Sequence, residues 1–548
     1  MRTIERQLQQ CLDRLQNWTT ENGFKFSKSK TQCVHFCQLR KLHCDPELFL
    51  DGTKIPVVDE AKFLGVIFDK KLSFIPHLKY LKAKCLRTLN LLKVISNTDW
   101  GADRQVLLRL YRTLIRSKLD YGCVVYGSAR KSYLQMLDTI HHQGLRIALG
   151  AFRTSPVESL YAEANEPSLY ARREKLSLQY AVKVAANKSN PARNVIFKPN
   201  YTHSYEQKPK QIKPLGLRVN TSMSEIEFQP NKVKENSVPQ TPPWTLSTPT
   251  VLFDMVSTSK KSETNTEIFK SKYNEIRSTY NDHFPIFTDG SKDDRKVGCA
   301  VVSHLHKSKL RLPDNASIFS AEAKAIDLAL DFISNRKERK FIIFTDSLSI
   351  LQSINNRNLE NPFIQNILLR LHKLSSTKSI LFCWIPSHIG IRGNEDADKA
   401  AKKSLLLTQS NIKLPYTDYL PCIHKYIISK WRLSWNNAVF NKLHDIEPAL
   451  GEWHQGNRSV RREEVVLSRC RIGHSRLTHT YLLKGEDQPE CIPCQAPLTI
   501  KHMLIDCVDF APQRNKYFRV SSIRELFAEV TVDKILAFLK DIGLYYKL

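Results

Sequence analysis

The tetrapeptide Ile-Phe-Thr-Asp occurs twice, at residues 286–289 and 343–346, and each copy closes an apolar run of strand character. Small polar turns follow, Gly290-Ser291 after the first Asp and Ser347 after the second. In an α/β sheet the strand ends open onto the edge where ligands bind. One Asp at such a place is ordinary turn chemistry. Two face each other only if their strands are neighbours, which restricts how this part of the chain can be laid out.

Two more acids belong with them. Glu322 sits near the start of a helical pattern whose apolar face is Phe319, Ala323, Ile326, Leu330 and Ile333. Asp398 falls in the first turns of another, with Asn394 as the candidate cap. The order is strand Asp, helix Glu, strand Asp, helix Asp. Four carboxylates converging at one end repel one another unless a dication lies between them. Oxygen-only ligands suit Mg²⁺ or Mn²⁺ rather than zinc. Two such ions about 3.5–4 Å apart activate water and stabilise the leaving oxygen in phosphodiester hydrolysis.

Composition points to the same kind of partner. Lys and Arg number 83 against 54 Asp and Glu, a formal charge of +29, which calls for a polyanion, with nucleic acid first. The excess is uneven: His283 to Ser404 holds 19 basic and 13 acidic residues, so the flanks are the expected grips. At 548 residues the chain is two to four domains long. It has no apolar run long enough to span a membrane and no secretory pattern at its start, so the expected setting is intracellular, nucleus or cytoplasm. The 13 cysteines then read as reduced thiols, with close clusters as candidate metal sites.

Along the chain, Ile4, Leu8, Cys11, Leu12, Leu15 and Trp18 recur at helix spacing, and Phe24 to Phe36 reads as strand. Asp51-Gly52 marks a turn, Lys62 to Phe68 another strand, and Pro76 to Asn187 a basic, Leu-rich helical region. Nine of the 25 prolines lie between Pro191 and Pro249, which predicts a mostly unstructured linker with a strand or two. A β-then-α pattern follows, then a basic helical stretch whose Trp431 and Trp435, at i,i+4, read as one core-packed face rather than a base-stacking platform.

The signatures Thr288-Asp-Gly-Ser, Ser320-Ala-Glu-Ala-Lys-Ala-Ile, Thr345-Asp-Ser and Trp384-Ile-Pro-Ser-His-Ile-Gly-Ile-Arg-Gly-Asn-Glu-Asp-Ala-Asp, in this order, resemble ribonuclease H. The resemblance implies a mixed sheet flanked by helices and cleavage of the RNA strand of an RNA–DNA hybrid. It carries metal-ligand roles to Asp289, Glu322, Asp346 and Asp398, and to His388 a part in protonation or product release. The family's auxiliary basic hybrid-binding loop is not evident here, so a flank is expected to supply grip.

Upstream, Leu15 to Gln32 resembles the last palm segment of a reverse transcriptase, Phe63-Leu-Gly-Val-Ile-Phe-Asp the strand hairpin after it, and the basic helices beyond a thumb. Together these are similar to jockey-type non-LTR retrotransposon polyproteins, which run polymerase, ribonuclease H, then a cysteine/histidine tail. The polymerase's aromatic-x-Asp-Asp turn is missing; the sole Asp-Asp, Asp293-Asp294, has Ser291 where the aromatic should stand. Met1 falls just after the expected palm turn, so polymerase activity is not expected.

Cys491-x2-Cys494-x7-His502-x4-Cys507 has the spacing of a small closed zinc site, structural rather than catalytic. Cys470, His474 and His479 are nearby competitors, with Gly473-His474 read as a helix junction. Cys33, Cys37, His43 and Cys44 lie on apparent strands whose alternating faces point them apart, so no site is expected there.

The expected organisation is therefore multidomain α/β and α. A partial reverse-transcriptase palm covers 1–75, a thumb-like basic helical region 76–190, and a Pro-rich linker 191–280. A ribonuclease H-like mixed sheet flanked by helices covers 281–405, and a helical module with the zinc motif 415–548. The expected function is two-metal-ion hydrolysis of RNA in RNA–DNA hybrids, with RNA, DNA or their hybrid as partner and no membrane. The competing expectation is a catalytically idle, nucleic-acid-binding remnant.

Overall fold

The computed structural model describes residues 2–37, 44–200, 202–207, 213–237, 241–247, 249–255, 264–451 and 458–548. The chain divides into two compact units, one of Leu178–Thr202 and Gly216–Tyr426, the other of Met1–Ser177, His203–Leu215 and Ile427–Leu548. Among the described residues no helix is long and apolar enough to cross a membrane.

The first unit is built on a six-stranded mixed sheet. In chain order its elements are β1 (Thr250–Leu252), α1 (Thr266–Thr279), β2 (Phe284–Asp293), β3 (Lys296–Val302), β4 (Lys307–Leu312), α2 (Ile318–Ser334), β5 (Lys340–Thr345), α3 (Leu348–Asn355), α4 (Pro362–Leu374), β6 (Ser379–Trp384) and α5 (Arg392–Ser404). The strand order is β1-β6-β5-β2-β3-β4. The first four are parallel, and β3 and β4 continue antiparallel through short turns.

Both faces of the central strands are buried, as parallel strands require. Ile286, Phe341, Ile343 and Phe382 point into a core shared with α2, α3 and α4. Their sequence neighbours Phe287, Ile342, Phe344 and Cys383 point the other way, onto Phe269 and Ile276 of α1 and Ala397, Ala400 and Ala401 of α5. Helix α5 can come this close because its sheet-facing residues are small. A Cβ on Gly393 would lie 2.2 Å from the Phe287 ring.

The linker expectation needs correction. A strand is present, since β1 pairs in parallel with β6, but the stretch also carries helices at Ala192–Phe197, Leu215–Glu225 and α1. Phe197 packs on Phe228, and Phe228 meets the Tyr419 ring edge-on, which anchors the segment. Pro191 stands at the N-terminal cap of the first of these helices, and Pro230 and Pro243 open short 3₁₀ turns. The prolines punctuate short elements, where their fixed φ and missing N–H are tolerated.

In the second unit, helices Ile75–Ile95, Arg104–Tyr111 and Lys131–Leu149 pack around one leucine-rich core. A hairpin of Glu60–Phe63 with Val66–Asp69 precedes them, turning at Leu64-Gly65, both with positive φ. A smaller hairpin, Phe49–Leu50 with Thr53–Lys54, turns at Asp51-Gly52. Residues 24–36, expected as strand, hold only a 3₁₀ turn at Lys28–Lys30 and one bridge from Cys33 to Val57. Among the described residues no strand pairs with the run beyond that bridge. Ile4, Leu8, Leu15 and Trp18 of the first helix remain exposed.

Helix Arg461–Ile472 belongs to this unit and is fixed by buried charge: fully buried Glu163 takes hydrogen bonds from Arg104, Arg471 and Ser468. Gly473, at positive φ, caps that helix, so the junction falls where the sequence indicates. Trp435 is buried, its indole N–H donating to the Glu447 carbonyl at 3.1 Å, while Trp431 is only half-buried. Cys33 is half-buried, Cys37 buried and Cys44 exposed, none gathered with other ligands among the described residues; His43 lies outside them.

Candidate active site

The two Ile-Phe-Thr-Asp copies lie side by side in register. Ile286 pairs with Ile343, Phe287 with Phe344 and Thr288 with Thr345 across the parallel β2–β5 ladder. The repeat therefore delivers Asp289 and Asp346 to the same edge. Past Thr345 the chain is tied down by two bonds: the Trp384 indole donates to the Asp346 carbonyl at 3.0 Å, and the Ile385 N–H donates to the Thr345 carbonyl at 3.0 Å.

Glu322 reaches this edge from the first turns of α2. The Ser317 side chain caps that helix by accepting the Ser320 N–H at 3.1 Å. Buried Asp418 holds Ser317 in turn, accepting its hydroxyl at 2.8 Å and its N–H at 3.2 Å. Gly290 leaves the room the approach requires, since a Cβ there would stand 3.0 Å from the Glu322 nitrogen and 3.1 Å from its Cδ.

Asp289, Glu322 and Asp346 each offer an oxygen within 4.8 Å of the others. Asp289 and Glu322 are each only 6% exposed, and Glu322 Oε2 has no hydrogen-bond partner. Burial, then the neighbouring Asp346 and Asp398, pushes the Asp289 carboxyl up to about 8. Burial, Asp289 and Asp346 push Glu322 well above the ordinary carboxyl range. The Gly290 N–H works against both shifts.

Asp398 falls outside that 4.8 Å grouping, although its charge still bears on Asp289. It groups instead with His388 and Glu395, again with ligand atoms within 4.8 Å, and its Oδ2 takes a 2.7 Å ion pair from Lys402. Asn394 is not the cap of α5: Ile391 holds that position, and Asn394 sits buried in the first turn with Oδ1 unpartnered. His388 is exposed at φ +54°, while Ile385, Ile389 and Ile391 around it are buried and pin the loop. Glu395 and Lys402 were not singled out from sequence. Their spacing from Asp398, i−3 and i+4 on one helix, was the available signal.

The second cluster lies in the other unit. Cys491, Cys494, His502 and Cys507 bring one ligand atom each within 4.8 Å of the rest. The Cys507 sulfur is 3.8 Å from those of both Cys491 and Cys494. That matches the edge of a tetrahedron with bonds of about 2.3 Å. His502 is buried with Nε2 unpartnered. Backbone donation, led by Val508, lowers the Cys494 thiol, whereas burial lifts Cys507 to about 11.

Residues 281–405 match the ribonuclease H family model. They form a ribonuclease H domain. The Pol polyprotein of a type-1 retrotransposable element R1 from Bradysia coprophila is 29% identical over 128 residues, 23% of this chain and 13% of that protein. The RNA-directed DNA polymerase of the mobile element jockey from Drosophila melanogaster is 27% identical over 196 residues, 34% of this chain and 20% of the relative. The R1 Pol polyprotein of Nasonia vitripennis is 24% identical over 165 residues, 29% of this chain and 48% of its own length. The chain thus aligns with less than half of each of these relatives. A solved RNase H1 from Halobacterium salinarum NRC-1 is 18% identical and covers 22% of this chain and 97% of its own, with a TM-score of 0.19. The chain is thus similar to part of the R1 Pol polyprotein and of the jockey RNA-directed DNA polymerase.

Proposed function

We propose that the chain is an endoribonuclease that hydrolyses the RNA strand of RNA–DNA hybrids with Mg²⁺ or Mn²⁺ held by Asp289, Glu322, Asp346 and Asp398. The observation that carries this reading is the in-register pair of strand-end aspartates with buried, unpartnered Glu322 beside them. A donor set made only of carboxylate oxygens, two of them buried against mutual repulsion, fits a hard dication. When bound, such ions lower the pKa of the attacking water and stabilise the leaving oxygen.

The chain's own residues prepare the rest. Asp289 and Glu322 stand in a dry position where burial and mutual repulsion oppose their charge, with the Gly290 N–H donating to both, so a bound cation is what would let both ionise. Asp346 and Asp398 complete the ligand set from the strand end and the helix. His388, on its pinned loop, is positioned to protonate the leaving oxygen or to aid product release. Discrimination of the strand to be cut rests on the ribose 2′-hydroxyl.

The same reading takes 1–75 as a partial reverse-transcriptase palm, 76–190 as thumb-like, and 415–548 as a module in which Cys491, Cys494, His502 and Cys507 hold a structural Zn²⁺. The sulfur spacing and the orphaned His502 Nε2 fit that ion. Polymerase activity is not expected, because the chain has no aromatic-x-Asp-Asp turn.

The test is a labelled RNA–DNA hybrid incubated with the full chain in Mg²⁺, in EDTA, and with Asp289→Asn. Asn keeps the side chain's size and removes the charge the ion needs, so cutting should disappear in both controls. Cutting that survives Asp289→Asn overturns the site, and tight binding without cutting in Mg²⁺ makes the chain an idle binder.

A further inference from the structure

A cavity of about 320 Å³ opens among three helices, and every residue lining it belongs to the unit of Met1–Ser177, His203–Leu215 and Ile427–Leu548. Helix Leu420–Asn436 supplies one side: Ile427, Lys430, Trp431, Ser434 and Trp435 fall at i, i+3, i+4, i+7 and i+8, a single stripe of an α-helix. Glu158 and Tyr161 enter at i,i+3 from helix Val157–Ala164. Tyr170 and Glu174 enter at i,i+4 from helix Leu169–Ala185.

Core packing explains only part of this lining. Trp435 is 2% exposed, packs with Ala162 and Leu443, and donates its indole N–H to the Glu447 carbonyl. Tyr161 stacks on His141, which does not line the cavity, and its hydroxyl is bonded to His142 Nε2 at 2.8 Å. Trp431, by contrast, is half-buried and Tyr170 is 67% exposed. Among the described residues none of the four rings packs on another, so the cavity has aromatic surface left uncovered.

The charges narrow what can enter. Lys430 is paired with Glu174 at 2.8 Å, and Glu158 is exposed on the rim with no ion pair among the described residues. Two carboxylates against one ammonium leave the lining at −1 in a chain of +29. A nucleic-acid strand would bring phosphate against both carboxylates and meet an ammonium already paired. A cation is drawn by the ring faces and by the carboxylates together. A bare ammonium or a guanidinium carries N–H donors that aromatic faces leave unpaired, whereas a quaternary ammonium has none.

We propose that this cavity holds the trimethylammonium head of a methylated lysine on a partner protein. Trp431, Tyr161 and Tyr170 present their rings to the cation, Trp435 forms the floor, and Glu158 supplies the countercharge at the rim. The inference stands apart from the nuclease reading, because none of these residues belongs to the ribonuclease H segment. It gives the chain a means of docking on protein rather than on nucleic acid.

The test titrates the full chain into a fluorescein-labelled glycine–serine peptide carrying one trimethyllysine, read by anisotropy. The same peptide with unmodified lysine, and with the uncharged tert-butyl analogue of trimethyllysine, should each bind about tenfold more weakly. Trp431→Ala should weaken the trimethyllysine peptide about tenfold. Tyr170→Ala, at a position exposed enough to spare the fold, should weaken it several-fold, and Glu158→Gln less. Trp244→Ala, 77% exposed and outside the cavity, should leave it unchanged. Equal binding of the tert-butyl peptide overturns the proposal by making the cavity a plain apolar cleft, and equal binding of the lysine peptide does so by removing the need for methylation. No binding, or binding that Tyr170→Ala leaves untouched, overturns it as well. So does a single-stranded RNA that displaces the peptide and itself depends on Trp431 and Tyr170, which would assign the cavity to an unpaired base.

Discussion

Asp289 lives under two opposed demands, since its position on the sheet edge buries it while its neighbours repel its charge. Its carboxyl is lifted from an ordinary value of 3.8 to about 8, so in the ion-free protein its contribution is most favourable below about pH 4 and is lost as pH rises towards 8. Asp289→Asn should therefore melt close to wild type at pH 4 and above it at pH 8, both in EDTA. Mg²⁺ should raise the wild-type melting temperature at pH 8 and leave the variant nearly unmoved. A melting difference that ignores pH would refute this account. The acids themselves were visible in the sequence because the tetrapeptide repeat and the helix spacing mark them. Two neighbours were misjudged for a physical reason: Asn394 looks like a cap because Asn caps well, yet the buried Ile391 ends the preceding loop and takes that position. Glu395 hides among acids that read as solvated helix surface.

Helix α5 shows how an element can be tuned by its smallest residues. Gly393 lets it rest on Phe287, and Gly298 of β3 faces Ser404 at its other end. Gly393→Ala puts a methyl 2.2 Å from an aromatic ring, which should cost about 1–3 kcal/mol of domain stability. It should also displace Asp398 and His388, which ride on the same helix and its loop, so the proposed hybrid cleavage should fall more than melting alone explains. Thermal melts beside single-turnover assays check this, and an unchanged melt would contradict the packing. Elements with strong periodicity, such as α2 and Lys131–Leu149, were legible in advance. Short helices between prolines were not, because six to eleven residues hold too little apolar pattern and owe their order to tertiary rings such as Phe228 and Tyr419.

At the scale of the molecule, the sheet unit reaches well beyond the family-matched segment. Strand β1 covers the outer edge of β6, α1 covers one face, and Asp418 anchors the cap of the Glu322-bearing helix from downstream. A fragment of residues 281–405 should thus elute as aggregates on size exclusion, with Ser379–Trp384 left as a bare, flat edge. A fragment of residues 178–426 should elute as a single species, and equal behaviour of the two would show that the flanks are dispensable. This extension was illegible from sequence because β1 is only three residues long and carries no period of its own. It has a consequence for how such a chain can change over time. A domain whose outermost strand is lent by the segment before it is not a portable cassette. A recombination breakpoint falling between residues 252 and 284 would strip away solubility before it touched any carboxylate of the acidic cluster, and selection would tend to move the whole stretch together.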